Sequence, residues 1–139
     1  MNEVFMSIPA SLISKHFMVV DDYESMRVMV SEQLKAFGIN KITFASSGNE
    51  ALKKISELDS SDPIQYVLTD MMMKDGSGID LVTGIRQQLG KKNLPVLMIT
   101  SKSEINLLLD AIKAGISNYL TKPWEEEEFA KKLMECDKN

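Results

Sequence analysis

The stretch Phe17-Met18-Val19-Val20-Asp21-Asp22 decides the fold: four apolar residues, two of them β-branched, are stopped by a pair of acids. Behind it, from Ser25 to Phe37, the apolar residues Met26, Met29, Val30, Leu34 and Phe37 recur at helical spacing and share one face. Gly38 follows as a helix stop. A short apolar strand feeding an amphipathic helix is the first half of a βαβ unit, and repeating it builds a parallel sheet.

The repeat continues along the chain. Ile42-Thr43-Phe44-Ala45 reads as the second strand, and Ser47 with Glu50 three residues on makes a capping box for a helix ending near Leu58. Asp62-Pro63 breaks the chain. Tyr66-Val67-Leu68-Thr69 is the third strand, stopping at Asp70, and a loop from Met71 to Gly78 leads to a helix over about Ile79–Leu89. Pro95 opens the fourth strand, Val96-Leu97-Met98-Ile99, with Thr100 at its carboxyl end. Ser101 and Glu104 make a second capping box for a helix that points Ile105, Leu108, Leu109 and Ile112 inward and Leu107 toward solvent, closed by Gly115. A short fifth strand, Asn118–Leu120, runs into Thr121-Lys122-Pro123 and a last helix from Glu125 to about Cys136. The acids Glu125 to Glu128 suit the positive end of that helix. The expected fold is α/β, an open five-stranded parallel sheet with helices on both faces.

Composition narrows the function. At 139 residues, with 44% hydrophobic and 26% charged residues, the chain has room for one core-forming domain and none for a large multidomain enzyme. A net charge of −4 supplies no polybasic surface, which argues against nucleic-acid binding. The single cysteine, Cys136, excludes an intrachain disulfide and a multi-cysteine metal site, and fits a reducing compartment. The chain shows no signal-peptide pattern and no apolar run approaching the ~18 residues of a membrane span, so a cytoplasmic protein without membrane contact is expected. Residues 1–15 read as a leader outside the core, 16–136 as the domain and 137–139 as a tail. His16 is expected at a strand edge on the surface, and Met71-Met72-Met73 as packing and loop shape.

In an open parallel sheet the binding crevice lies beyond the carboxyl ends of the strands. That rule brings Asp21-Asp22, Asp70, Thr100 and Lys122 to one edge. Three carboxylates at ~4 Å in an effective dielectric of about 20 repel by roughly 4 kcal/mol per pair. Lys122 offsets part of this, and an all-oxygen set without His or Cys suits Mg²⁺ for the rest. Asp22 and Asp70 are expected to ligate it directly and Asp21 mainly through water, with a backbone carbonyl from the loop after Asp70. A carboxylate beside a divalent cation, facing an ammonium and a hydroxyl, can take an incoming phosphoryl group as an aspartyl phosphate, and needs no general base because it is already ionised. Flavin binding would need an uncharged Ser/Thr/Gly-rich loop where Asp21-Asp22 stands. An aspartyl phosphatase would need a substrate cap, for which no insertion is long enough.

The runs Met18-Val19-Val20-Asp21-Asp22, Leu68-Thr69-Asp70, Pro95 to Thr100, Ala114-Gly115 and Tyr119-Leu120-Thr121-Lys122-Pro123 together resemble the receiver domain of bacterial two-component response regulators, most of all its single-domain chemotaxis regulators. The likeness spans about His16 to Leu133. It implies the flavodoxin-like strand order 2-1-3-4-5, for which the chemotaxis regulator is itself a standard example. It also implies that Asp70 is the phospho-acceptor, that Asp21, Asp22, Asp70 and the backbone carbonyl of Met72 hold Mg²⁺, that Lys122 contacts the phosphoryl group, that Thr100 senses it, and that Tyr119 changes position on activation. The implied protein is a phosphorylation-activated switch and not an enzyme, a monomer or weak dimer. It is served by a sensor histidine kinase and signals to a downstream protein partner through the fourth helix, fifth strand and fifth helix, with chemotaxis as the pathway the likeness suggests.

The departures from the family pattern matter. Lys74 stands where the family has a proline after the acceptor, and Ser77-Gly78 where it has Asp-Gly. Ser77 can still cap the next helix, whereas Lys74 removes a rigid turn and adds charge near the site. Met72 offers no side-chain hydrogen bond to an attacking water, so slow dephosphorylation is expected. These departures keep an alternative open: a degenerate receiver that binds its partner independently of phosphorylation.

Overall fold

In the computed structural model, which describes residues 8–74 and 76–137, the alternation of strand and helix holds throughout. A one-turn helix α1 (Ala10–Ile13) precedes β1 (Phe17–Val20), α2 (Glu24–Ala36), β2 (Ile42–Ala45), α3 (Gly48–Leu58) and β3 (Tyr66–Asp70). A two-residue hairpin, β4 (Met72–Met73) with β5 (Gly76–Ser77), leads to α4 (Gly78–Thr83), which continues as a π-helical turn over Gly84–Gln88. Then come β6 (Val96–Ser101), a 3₁₀ segment (Lys102–Leu107), α5 (Leu108–Ala114), β7 (Asn118–Lys122) and α6 (Glu126–Asp137). The five long strands form one parallel sheet in the order β2-β1-β3-β6-β7, which is 2-1-3-4-5 of the main strands.

Because successive strand side chains point to opposite faces, the core divides in two. Phe17, Val19, Leu68, Leu97, Ile99 and Leu120 pack on one face with Leu34 and Phe37 at α2 and with Phe129 and Leu133 of α6. Met18, Val20, Val67, Val96 and Met98 pack on the other with Ala51 and Ile55 of α3, Leu81 and Ile85 of the fourth helical element, and Ala111 of α5. Helices therefore cover both faces. Of the three consecutive methionines, Met71 and Met73 are buried and Met72 is exposed.

Several sequence expectations are corrected. The segment before His16 does not lie outside the core where it is described: Ile8 and Leu12 are buried in the first cluster together with Phe17 and Ile39, where their apolar side chains leave water. Lys15 Nζ further ties this segment to Asp137 Oδ1 at 2.5 Å. Residues 1–7 of the expected leader and 138–139 of the expected tail lie outside the described residues. His16 is buried, not a surface residue, since both ring nitrogens find partners: Nδ1 at 3.1 Å from the Asp62 carbonyl oxygen and Nε2 at 2.7 Å from Thr43 Oγ1. Met29 is exposed, so the inward face of α2 narrows to Val30 and Leu34, with Phe37 just beyond its end. The first capping box is half formed: Ser47 Oγ accepts from Glu50 N–H at 3.1 Å, but the Glu50 carboxylate turns to Ser46 and Lys54.

The largest correction concerns α5. Ile105, Leu109 and Ile112, expected inward, are 49%, 60% and 53% exposed, while Leu107 packs against the second cluster and Ala111 is fully buried. The face turned to the sheet is instead Leu107, Ala111 and Ala114, a helical spacing of four and three residues whose small side chains let the element sit close to the second cluster. Gly115 closes α5 in the left-handed region at φ 111°, which a side chain would strain.

Candidate functional site

The carboxyl ends of β1, β3, β6 and β7 deliver the site. Asp21, Asp22 and Asp70 each place a carboxylate oxygen within 4.8 Å of the others. Lys122, at the end of β7, reaches across with Nζ 3.1 Å from Asp70 Oδ1. Lys122 also starts the Lys122–Pro123 peptide, which is cis. The backbone N–H of Met71 donates to the same Asp70 oxygen at 2.9 Å, so among the described residues no hydrogen bond falls on Oδ2.

Each acid is held separately. Asp21 Oδ1 accepts from Tyr23 N–H at 2.9 Å, and its carbonyl oxygen accepts from Arg27 Nη1 at 2.6 Å. Asp22 Oδ2 accepts from the Lys74 backbone N–H at 2.9 Å. Lys74 therefore serves the site through its main chain, while its ammonium lies over the Tyr23 ring, 5.6 Å from the centroid. Asp22 Oδ1 is buried with no hydrogen-bond partner. Burial pushes the Asp21 carboxyl up to about 6, against the Tyr23 hydrogen bond and with the Asp70 charge adding to it. Burial also raises Asp70 above the ordinary carboxylate range, Lys122 opposing and Glu104 assisting. These are the electrostatics of carboxylates short of positive charge. An orphaned buried acceptor in an all-oxygen cluster is what a hard divalent cation satisfies, so these residues fit Mg²⁺.

Gly78 shapes the floor of the site, and residue spacing gave no sign of it. A Cβ there would stand 2.2 Å from the Asp70 carbonyl oxygen, because Gly78 N–H donates to Met71 O at 2.7 Å and draws the start of α4 against the end of β3. Ser77 caps α4 through a reciprocal box with Asp80, as the sequence suggested it could.

Thr100 lies one residue past Ile99, the register partner of Asp70, and is fully buried. Its hydroxyl faces two acceptors, Ser101 O at 3.3 Å and Glu104 Oε1 at 3.4 Å. The contact to Glu104 was invisible in the sequence, where Glu104 read only as a capping acid. Tyr119 of β7 is half-buried against the second cluster, with Lys132 Nζ 4.8 Å from its ring centroid. Met72 is exposed on β4 beside the acceptor.

A parallel sheet that gathers an acid cluster, an opposed lysine and a buried hydroxyl at the carboxyl ends of its strands is an arrangement found in one class of signalling domain. The comparisons with known proteins agree. The chain belongs to the response regulator receiver domain family, whose model matches residues 17–134. It is similar to chemotaxis protein CheY-3 of Vibrio cholerae, 34% identical over 116 residues that cover 84% of this chain and 86% of the relative. Chemotaxis protein CheY1 of Helicobacter pylori is 33% identical over 116 residues, covering 84% and 91%. Among solved structures, a receiver domain protein from Clostridium thermocellum superposes with a TM-score of 0.78 at 25% identity, covering 89% of this chain and 94% of that one. Chemotaxis response regulator CheY4 of Vibrio cholerae gives 0.74 at 28%, covering 88% and 98%. The chain is thus a CheY-like receiver domain of two-component signalling, a signalling protein rather than a classical enzyme. Among the described residues no helix is long and apolar enough to cross a membrane.

Proposed function

We propose that this protein is a phosphorylation-activated switch that accepts a phosphoryl group from a sensor histidine kinase onto Asp70 and thereby changes its affinity for a protein partner. The observation that carries this reading is the polarised Asp70 carboxylate. Oδ1 is held by Lys122 and the Met71 amide, which leaves Oδ2 as the oxygen to attack phosphorus. A P–Oδ2 bond forms as the P–N bond to the donor imidazole breaks, the electron pair staying on the imidazole nitrogen. Asp21, Asp22, Asp70 and the Met72 carbonyl would hold Mg²⁺, which supplies charge neutralisation at the phosphoryl oxygens. Lys122, already within hydrogen-bond distance of Asp70, is placed to follow the new oxygens.

The Thr100 hydroxyl senses the product, and Tyr119 relays it within the surface built from α5, β7 and α6. On that surface the stripe Ile105, Leu109 and Ile112 stands in solvent at spacings of four and three residues, one face of a helix offered to a partner. The domain unit is taken as 16–136 with the segment from Ile8 packed onto its core, the protein as cytoplasmic and a monomer or weak dimer, and chemotaxis, which the relatives' names carry, as the candidate pathway.

Intact mass spectrometry after incubation with acetyl phosphate and Mg²⁺ tests the reading. A metal-dependent gain of one phosphoryl group that disappears in Asp70→Asn is expected. No gain, under conditions where another receiver labels, would leave a phosphorylation-independent binding module.

A further inference from the structure

The hydroxyl of Thr100 has a resting partner that the proposed switch does not use. Glu104 Oε1 accepts from the Ser101 backbone N–H at 3.0 Å and stands 3.4 Å from Thr100 Oγ1. It belongs to the 3₁₀ segment Lys102–Leu107, which buries no residue fully and carries exposed Ile105. The far end of α5 is held differently. Arg86 donates from Nε and Nη2 to Gly115 O at 3.0 and 2.9 Å, and from Nη1 to Lys91 O and Leu94 O at 2.8 and 2.7 Å. The carboxyl end of this element is thus tied by two hydrogen bonds to a guanidinium that is itself fixed to the loop before β6, whereas the amino end is held by the Ser101–Glu104 cap and by Ser101 Oγ, 2.8 Å from Ser103 Oγ.

From this geometry we infer that Glu104 is a latch: in the unphosphorylated protein it shares the Thr100 proton and pins the 3₁₀ segment, and it releases that segment when the hydroxyl turns to a phosphoryl group on Asp70. The inference rests on the reading of Asp70 as phospho-acceptor. Its physics is a competition for one proton. Contacts of 3.3 and 3.4 Å hold a hydroxyl weakly even where, as at Glu104, the acceptor is anionic, whereas a fully formed O–H bond to an anionic oxygen closes to about 2.5–2.7 Å. The phosphoryl group therefore wins the proton. Glu104 then keeps only the Ser101 amide, and its negative charge, close enough to act on Asp70, is repelled by the added phosphoryl charge. Movement pivots at the Arg86 clamp and is largest near Ile105, at the start of the exposed stripe. Glu104 acts through Thr100 and the loop, so it is a positioning residue.

Two cycles separate the latch from an ordinary cap. In the unphosphorylated protein, the urea midpoint is measured for Glu104→Ala and for Thr100→Val, which keeps the shape and removes the hydroxyl, alone and combined. The lost cap to Ser101 cancels in this cycle. The latch requires Glu104→Ala to shift the midpoint less in the Thr100→Val background, and additive shifts would overturn it. In the second cycle, Glu104→Gln retains an acceptor for Ser101 and removes the charge. With acetyl phosphate and Mg²⁺ its labelling rate should rise at least about threefold with Thr100 present, and by less than half as much in Thr100→Val. An equal rise in both backgrounds would mean a charge effect that bypasses Thr100, and no rise would mean a cap alone, either of which overturns the latch. If the wild type takes no label, the phosphoryl reading fails and the urea cycle by itself decides the resting contact.

Discussion

Replacing Asp21 with Asn should stabilise the metal-free protein at neutral pH and leave its stability nearly unchanged near pH 4. Burial lifts the Asp21 carboxyl from 3.8 to about 6. Between those values the folded state holds a proton that the unfolded state has released, so stability falls as pH rises through the window and stays lost above about 6. At 1.36 kcal/mol per pKa unit the shift corresponds to about 3 kcal/mol. Relaxation and partial hydration around the charged carboxylate reduce this to about 1.5 kcal/mol. Asn removes the ionisation while its side-chain oxygen still accepts from Tyr23 N–H, so no hydrogen bond is lost in exchange. Urea denaturation followed by Trp124 fluorescence, at pH 4 and pH 7.5 in EDTA, reads the difference. Adding Mg²⁺ at pH 7.5 should then stabilise the wild type, by about 2.7 kcal/mol at a hundredfold excess over Kd, and the variant by less. A variant that is destabilised at pH 7.5 in EDTA, or a gap of equal size at both pH values, would refute the reasoning.

Thr100→Ala should still gain one phosphoryl group by mass spectrometry yet lose most of the phosphorylation-dependent change in partner affinity, since a charge-assisted hydrogen bond of ~1.5–3 kcal/mol biases a two-state switch roughly ten- to hundredfold. Full retention of that change would rule out its sensing role. Leu109→Asp, at a side chain 60% exposed, should alter stability by no more than about 0.5 kcal/mol while weakening partner binding at least about tenfold. Leu12→Ala, at a fully buried position, should cost about 2–4 kcal/mol in urea denaturation, and a cost near zero would mean that the segment before His16 is not part of the core. Burial pushes the Cys136 thiol from 9.0 up to about 11, so its thiolate fraction at pH 8 falls about a hundredfold, and a disulfide reagent monitored by absorbance should modify the native protein at least that much more slowly than the urea-unfolded one.

The strands and the site's four corners were legible because both rest on local rules. Val19-Val20 followed by Asp21-Asp22 cannot continue a buried strand, and the crevice rule then places every strand-end acid, hydroxyl or amine at one edge. Helix faces were less legible. The apolar pattern of Ile105, Leu108, Leu109 and Ile112 is a sound α-helical stripe, but the neighbouring stripe Leu107, Ala111 and Ala114 is apolar too, and spacing does not encode which of the two the sheet receives. The buried His16 failed for a related reason: its partners Thr43 and Asp62 come from other segments, and no local signal announces a satisfied polar core residue. Lys74 read as an intrusion of charge, yet its contribution to the site is a backbone N–H that any residue except proline would donate. A proline at that position would leave Asp22 Oδ2 without the bond.

The corrected helix phase also changes what the partner surface must be made of. Had Ile105, Leu109 and Ile112 faced the core, phosphorylation could have reached a partner only through Tyr119 and the charged face of α6. With the stripe outside, the segment nearest Thr100 carries part of the exposed apolar face, and the 3₁₀ segment that holds Ile105 buries no residue fully. A shift of the turn at Ser101–Glu104 therefore displaces Ile105 directly, with no relay through the core, whereas Leu109 and Ile112, closer to the Arg86 clamp, should move less. The phosphorylation-dependent part of partner affinity should accordingly fall on Ile105 and the constitutive part on Ile112. Single alanine substitutions at the two, each assayed with and without phosphodonor, would show equal dependence if the stripe moved as a rigid unit.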